Sequence, residues 1–438
     1  MRTCTRDTSQ YGLDYISGLL RMKRNRNINN IARVTGVPEQ NMQQFISDST
    51  WSASDLIGSL QQDIGYHEQY QEGSILIIDE SANKKAGKQS AGAGRQHNGR
   101  LGKIEMSQVG VFLSLANRGY HTWVDGELYF PEKWFTDNYT RRRKQVGLPK
   151  EQVFATKLEL ALQMVDRVHN NGLPFVAVDC DSLYGRAGWL RDAFNQRGFE
   201  YYADIPKSTK VYLSPPMVVY PLTKNGTPSK IREIIGTSVS VEEIKCQWRL
   251  DWERITLRPN ERGMLRAKFA RYHVWTVRDD DSIREEWLLI RQGKKRTTYS
   301  LSNADESTSL LIMAERKSQR YFIERSNQDA KSELGWDEFQ AIKYRAWKHN
   351  LALTIMASWF ITETRLEWAK KYEQDPELLE KYETDVLPAL SMANVRELLR
   401  ATMPLPQLTP FQAAELVIKH LDNRTRSRKS RLRKALSH

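Results

Sequence analysis

Residues 74–80 read SILIIDE, and residues 174–181 read PFVAVDCD. In each, a short apolar run rich in β-branched residues stops abruptly at carboxylates: Asp79 and Glu80 in the first, Asp179 and Asp181 in the second. Both read as buried strands that deliver acids at their C-terminal ends. Around them, VGVFLSL (109–115) and HTWVDGELYF (121–130) read as two more strands. Glu151 to Asn171 reads as an amphipathic helix with Ala161, Leu162, Val165 and Val168 among its apolar positions. A helix over 188–197 and a strand over 200–205 follow. Strand, strand, strand, helix, strand, helix is an α/β order with a mixed sheet. Ligands in open α/β sheets gather at strand C-terminal ends, so two strands ending in acids at one edge mark a candidate site.

The flanking regions have other textures. Residues 1–70 read as helical, with apolar residues at helical spacing in YISGLL and NMQQFI and a helix start at Ser54 or Asp55. From Ser81 to Ile104 there are six basic residues (Lys84, Lys85, Lys88, Arg95, Arg100 and Lys103), five glycines and no acid, which reads as a mobile cationic loop beside the first acidic strand end. Between 206 and 303, Pro and Gly punctuate short strand-like runs, Trp248, Trp252, Trp275 and Trp287 are scattered through them, and EWLLIRQ and TTYSLSN flank GKKR as in a hairpin. The 143 residues from Asp181 to Glu324 are far more than one connecting helix needs, so something folded lies between them. Ser307 to Leu334 reads as one long helix and Asp337 to about Arg365 as a second. The stretch NRTRSRKSRLRKALSH carries seven basic residues and no acid, and reads as a disordered tail with non-specific affinity.

Composition narrows the function. The 438 residues are 40% hydrophobic and carry 66 Lys and Arg against 53 Asp and Glu, a formal charge of +13. Such a surplus favours a polyanionic partner. Cys4, Cys180 and Cys246 are far apart and give neither a disulfide framework nor a zinc pattern, which fits a reducing cytosol. MRTCTRDTSQ has no apolar signal segment, and the longest apolar stretch, Leu351 to Ile361, is too short and mixed to span a bilayer. Secreted, membrane and zinc-finger classes are poor fits. His97 and His121 lack any supporting cluster and read as structural or surface residues.

The helix with Glu324 adds a third acid. Lys317, Arg320 and Lys331 lie at −7, −4 and +7 from it, within roughly 40° of the same face at about 100° per residue. Divalent-metal phosphoryl transfer needs about three converging carboxylates, because Mg²⁺ takes oxygen ligands and two ions about 4 Å apart serve both the attacking and the leaving oxygen. Basic side chains around the acids would hold nucleic-acid phosphates. Asp79, Asp181 and Glu324 supply such a set.

IIDESANKKAGKQSAGAGRQHNGRLGKI, VAVDCDSLYG and RYFIERSNQDAKSELG, in that order, resemble the three acid blocks of the DDE transposases of bacterial insertion sequences. The third is similar to the signature Tyr-x-x-Arg-x-x-x-Glu-x-x-x-x-x-x-Lys of a cut-and-paste group, matched by Arg320, Glu324 and Lys331, with Lys317 standing where the Tyr is expected. The resemblance implies an RNase H-like mixed-sheet core interrupted by a β-rich insertion. The organisation expected is a helical N-terminal DNA-binding domain over 1–70, the catalytic core over 71–205, the insertion over 206–303, a helical second part of the core over 304–400 and a basic tail over 401–438. The first block and the strand end favour Asp79 over Glu80. Asp179 and Asp181 share a strand face; the Ser-Leu-Tyr-Gly that follows favours Asp181, with Asp179 an outer-shell acid or a satisfied polar residue.

The function so implied is cut-and-paste cleavage of transposon ends and their joining to target DNA, with a hairpin on the end as one route, and with two Mg²⁺ or Mn²⁺ ions held by Asp79, Asp181 and Glu324. Lys84, Lys85, Lys88, Arg95, Arg100, Lys103, Arg320 and Lys331 are the expected DNA-binding residues, with Arg141, Arg142, Arg143 and Lys144 a further basic run. The expected partners are double-stranded DNA, as terminal inverted repeats and target, and a second copy of the chain on DNA; the expected location is the bacterial cytoplasm, at the nucleoid. A nuclease without strand transfer and a catalytically silent DNA-binding derivative are the competing readings.

Overall fold

In the computed structural model, which describes all residues except 2–6, 99–101, 226, 261–262, 294–295, 385–386, 388, 404–408 and 437–438, the run at 74–80 lies in the middle of a mixed sheet. The core strands are β1 (Ile75–Lys84), β2 (Gly94–Asn98), β3 (Lys103–Asn117), β4 (Tyr120–Tyr129), β5 (Ala177–Cys180) and β6 (Glu200–Ile205). β3 runs antiparallel to β1 and β4 antiparallel to β3, while β5 and β6 follow on the other side of β1, parallel to it. This is the mixed sheet of an RNase H-like core. Among the described residues, five helices precede it: α1 (Ser9–Arg21), α2 (Ile28–Thr35), α3 (Glu39–Ser47), α4 (Ala53–Tyr66) and α5 (Glu68–Gln71). Asn27 and Ser52 cap α2 and α4 by accepting from Asn30 N and Asp55 N. Between β4 and β5 come α6 (Thr140–Val146) and α7 (Lys157–Asn170), the second opened by a Thr156–Glu159 capping box. α8 (Ser182–Gly185) and α9 (Gly188–Gln196) join β5 to β6.

The β-rich insertion extends the same sheet. Short strands β7 (Lys210–Tyr212), β8 (Met217–Val219), β9 (Glu233–Ile235) and β10 (Ser238–Ser240) and helix α10 (Val241–Gln247) lead to β11 (Glu253–Asn260), β12 (Gly263–Val277), β13 (Ile283–Gln292) and β14 (Thr297–Ser302). β14 pairs with β6, β13 with β14 and β12 with β13, so the core sheet continues outward without a break. Helices α11 (Leu310–Ser318), α12 (Tyr321–Ser332), α13 (Tyr344–Tyr372), α14 (Pro376–Lys381), α15 (Met392–Thr402) and α16 (Pro410–Leu436) complete the chain.

Strand alternation gives β1 two different faces. Leu76 and Ile78 enter the large core formed with α7, α13 and the N-terminal helices. Ile75 and Ile77 enter a smaller core with Phe322 and Ile323 of α12 and Met313 of α11. The N-terminal helices share the large core: Tyr15 donates to Asn350 Oδ1 at 2.8 Å, and Trp51 stacks on His349 of α13 at 3.8 Å.

Several expectations from sequence are corrected. The strand at 74–78 continues past its acids to Lys84, because β3 pairs with it along its whole length while β5 stops opposite Ile78. The basic stretch after it is largely a strand hairpin, β2 with the start of β3. The long helix at 307–334 is two helices. The backbone tightens between them, with Arg320 N bonded to Lys317 O and Phe322 N to Gln319 O, the i to i+3 pattern of a 3-10 turn. That advances the chain faster than 100° per residue, yet Lys317 and Arg320 still meet the same acid, Asp204. The next long helix begins only at Tyr344. The basic C-terminal run is helical, within α16. Among the described residues no helix is long and apolar enough to cross a membrane.

Candidate active site

The sheet register brings acids from neighbouring strands level. Ile78 pairs with Cys180, so the next step sets Asp79 level with Asp181; Cys180 pairs with Ala203, so the next step sets Asp181 level with Asp204, which is itself opposite Ser300. Asp181 lies just past the end of β5 and accepts from Leu183 N at 2.8 Å, capping α8. Asp79 lies in the Ile75–Ile77 series and faces α12, whose Asn327 Nδ2 donates to its Oδ2 at 3.3 Å. Trp123 Nε1 donates to Asn327 Oδ1 at 3.1 Å and fixes that amide. Glu80, on the other face, accepts from Lys157 Nζ at 3.1 Å and Tyr184 Oη at 3.2 Å. Strand alternation therefore separates the two adjacent acids, and Asp79 is the one turned to the helix of Glu324.

Asp179 lies one pleat deeper than Asp181 and is fully buried. Lys317 Nζ meets its Oδ1 at 2.6 Å and Asp204 Oδ1 at 3.0 Å. Burial works against the Lys317 charge, and the two acids outweigh it. Lys317, in the position where the resembled signature has Tyr, is thus a buried counter-charge. Arg320 continues the chain of ion pairs outward: its Nε meets Asp204 Oδ2 at 3.1 Å and its Nη2 donates to Glu324 Oε1 at 3.1 Å. Glu324 itself is exposed at the surface end.

The electrostatics of Asp79 differ from those of an ordinary surface acid. Burial pushes its carboxyl up to about 7, the charges of Asp181 and Glu80 push the same way, and Arg320 opposes them. A half-buried acid beside a second acid, carrying one side-chain donor, is a site where a cation would relieve repulsion. The donors are all carboxylate oxygens, which suits a hard divalent ion. Among the described residues, however, no group of three or more His, Cys, Asp or Glu side chains is arranged to hold a metal. Asp79 and Asp181 are brought together, and Glu324 is paired with the Arg320 guanidinium.

The expected DNA-binding residues divide. Lys84, Lys88, Arg95 and Lys103 are exposed along the β1 end and the β2–β3 hairpin. Lys85 donates to Phe339 O at 2.8 Å, and burial pulls its ammonium down to about 8. Lys331 donates to Ala82 O at 3.0 Å, fastening α12 to β1. Arg100 lies outside the described residues, as does the side chain of His97. In the 141–144 run, Arg143 donates to Trp134 O at 2.8 Å and Arg142 sits 5.0 Å from the Tyr139 ring. His121 is buried, bonded to Ser326 Oγ at 2.8 Å, and burial pulls its pKa down to about 3, so its role is structural.

Sequence reading missed Asp204 and Asn327. Asp204 had the same signal as the chosen acids, a carboxylate near the end of an apolar strand. Asn327 follows Glu324 by three positions and so lies on a neighbouring line of the same helix.

Comparison with known proteins bears on this arrangement. The family model described as DDE superfamily endonuclease matches residues 2–264, more than half of the chain and inclusive of Asp79, Asp181 and Asp204. The chain is 23% identical over 316 residues to a probable transposase for insertion sequence element IS701 from Microchaete diplosiphon, with 72% of each chain covered.

Proposed function

Because the chain belongs to the DDE superfamily endonucleases, we propose that it is the transposase of a bacterial insertion sequence, cutting the element's ends and joining them to target DNA by cut-and-paste. The similarity to the IS701 protein supports the substrate, and the excess of basic residues supports a nucleic-acid partner. The observation that supports the reading is the pairing of Ile78 with Cys180, which brings Asp79 beside Asp181 at the end of β5, with α12 packed on the same face and Glu324 paired to Arg320. Endonucleases of this superfamily generally use divalent ions; Asp79, Asp181 and Glu324 would hold two of them, Mg²⁺ or Mn²⁺, which when bound lower the pKa of an attacking oxygen and stabilise the leaving one.

The residues of the chain have separate tasks. Asp79, with its proton released only near neutral pH, reports whether a cation is present to compensate it. Asn327 orients its Oδ2. Arg320 neutralises Asp204 and holds Glu324 near the site; exchange of Glu324 for a DNA phosphate would free that acid to join the aspartates. In the first transfer a water oxygen forms the new bond to phosphorus and the 3′-oxygen of the element leaves. In the second, that 3′-oxygen attacks a target phosphodiester and displaces a target 3′-oxygen, so no external energy source is needed. Two copies of the chain on paired ends fit the two cuts required.

Alanine at Asp79, Asp181 or Glu324 should abolish divalent-ion-dependent cleavage of the inverted repeats flanking the gene while leaving DNA binding in place. Cleavage retained in all three variants overturns the assignment. Precut ends that bind but never join to target reduce the enzyme to a nuclease, and wild-type protein that binds without cutting is the silent derivative.

A further inference from the structure

A second concentration of charge on the same sheet face has no ion-pair partner in salt-bridge contact among the described residues. Arg291 of β13 is level with Phe269 of β12 and Thr298 of β14, and shares its face with Leu289, in the core with α11 and α12. The Nε atoms of Arg291 and of Arg258 on β11 are both shut off from solvent and have no hydrogen-bond partner among the described residues. The Arg258 guanidinium rests 4.1 Å from the Tyr321 ring centre and 5.0 Å from that of Phe322, the first residues of the helix that bears Glu324. Burial and the like charges of Arg296 and Arg258 hold the Arg291 guanidinium below its ordinary value, with Asp204 acting the other way. Guanidinium groups brought together with donors unused are costly in an empty protein and well suited to an anion with several acceptor oxygens.

We propose that Arg291, with Arg258 and Arg296, is the seat of one backbone phosphate of the DNA whose cut is made at Asp79 and Asp181. The inference rests on DNA being the substrate, as proposed above. From β1 the sheet order runs β5, β6, β14, β13, four steps outward. At about 4.8 Å per step this is roughly 19 Å, so the seat holds a phosphate a few nucleotides away from the scissile one. Its role is to fix the register of the strand against the acids, and it carries no base preference.

The test uses the full chain, with a mixed-sequence DNA duplex as probe over a series of salt concentrations. Arg291→Gln should lower affinity and reduce the slope of log affinity against log salt by about 1. Without DNA its melting temperature should equal or exceed that of the wild type, because an unpaired charge has been removed. Arg291→Lys should recover the slope. A set of duplexes with one neutral methylphosphonate each should show a position that weakens wild type and leaves Arg291→Gln unaffected. If Arg291→Gln does not fold, Arg258→Gln is read in the same way. An unchanged slope in the folded variant, or no methylphosphonate position that distinguishes it from wild type, overturns the proposal. Wild type that fails to bind the duplex at all overturns the reading of DNA as substrate instead, so the two failures are distinct.

Discussion

The sheet carries two clusters of buried charge on opposite faces, and they are built differently. In the insertion, Glu286 accepts from Arg191 Nε at 2.8 Å, Tyr201 Oη at 2.6 Å, Thr276 Oγ1 at 2.5 Å and Arg278 Nη1 at 3.1 Å. Arg278 and Arg284 in turn hold Asp192. Two acids, Glu286 and Asp192, meet three bases, Arg191, Arg278 and Arg284. Burial opposes the Glu286 charge, and Arg191 and Arg278 overcome it, pulling its carboxyl down to about 2. In the core, among the described residues, the ion pairs of Asp179, Asp204 and Glu324 are with Lys317 and Arg320, beside Asp79 and Asp181. The first cluster is closed and its work is cohesion. The second keeps a surplus of negative charge and an acid raised toward neutrality, which is how a protein stores an appetite for a cation.

The largest expected effect tests the closed cluster. Glu286→Gln leaves Arg191 and Arg278 buried without their common acid, and such a loss costs about 3–5 kcal/mol. Urea unfolding should show it as a lower midpoint with an unchanged slope, while cleavage per folded molecule stays near wild type. The sign with pH follows from the depressed carboxyl: its stabilisation is present above its unfolded value of 4.5 and is lost as pH falls through about 2. A variant as stable as wild type would mean the network is slack, and the contrast with the core would fail.

The open cluster should respond in the opposite sense. Asp79→Asn keeps the shape and removes the charge, so in the absence of divalent ions at pH 8 it should stabilise the fold by about 1–3 kcal/mol. The wild-type carboxyl favours folding fully below its unfolded value of 3.8, and that contribution disappears as pH rises through about 7. Mg²⁺ or Mn²⁺ should raise the wild-type melting temperature at pH 8 and leave Asp79→Asn unmoved. A destabilised Asp79→Asn, or equal metal response in both proteins, would make Asp79 an ordinary structural acid.

The two clusters also differ in how far the sequence announced them. Asp79 and Asp181 were legible because a strand that buries both faces is almost wholly apolar, and an acid at its edge breaks the pattern. The choice between Asp79 and Glu80 agrees with the strand's period of two, since only one of two neighbours can face α12. Lateral register is different: that Asp204 is level with Asp181 depends on pairing between β5 and β6, which no local pattern encodes. The helical stripe kept its contacts, since Lys317 and Arg320 meet the same Asp204 and Arg320 meets Glu324, but the break into two helices rests on a few i to i+3 bonds near Gln319 that no spacing announces. Glu286 was invisible for the same non-local reason, since its partners come from α9, β6 and β12. The continuity of the insertion with the core sheet likewise rests on the pairing of β14 with β6, between segments some hundred residues apart.

The smallest effect separates two lysines that the sequence treats alike. Lys85 and Lys88 stand three residues apart in one basic stretch. Lys85 gives its ammonium to Phe339 O and is partly desolvated, whereas Lys88 is exposed. Lys85→Ala should therefore cost about 1 kcal/mol of stability, the net worth of one such hydrogen bond, and change the salt dependence of DNA binding little. Lys88→Ala should change stability by less than about 0.5 kcal/mol, and if DNA passes over the hairpin it should reduce the salt slope by about 1. Chemical denaturation and a salt titration on the same two variants give both numbers. Were Lys85→Ala to lose the slope and Lys88→Ala the stability, the division of this basic stretch into a part that holds the fold and a part that faces the nucleic acid would be reversed.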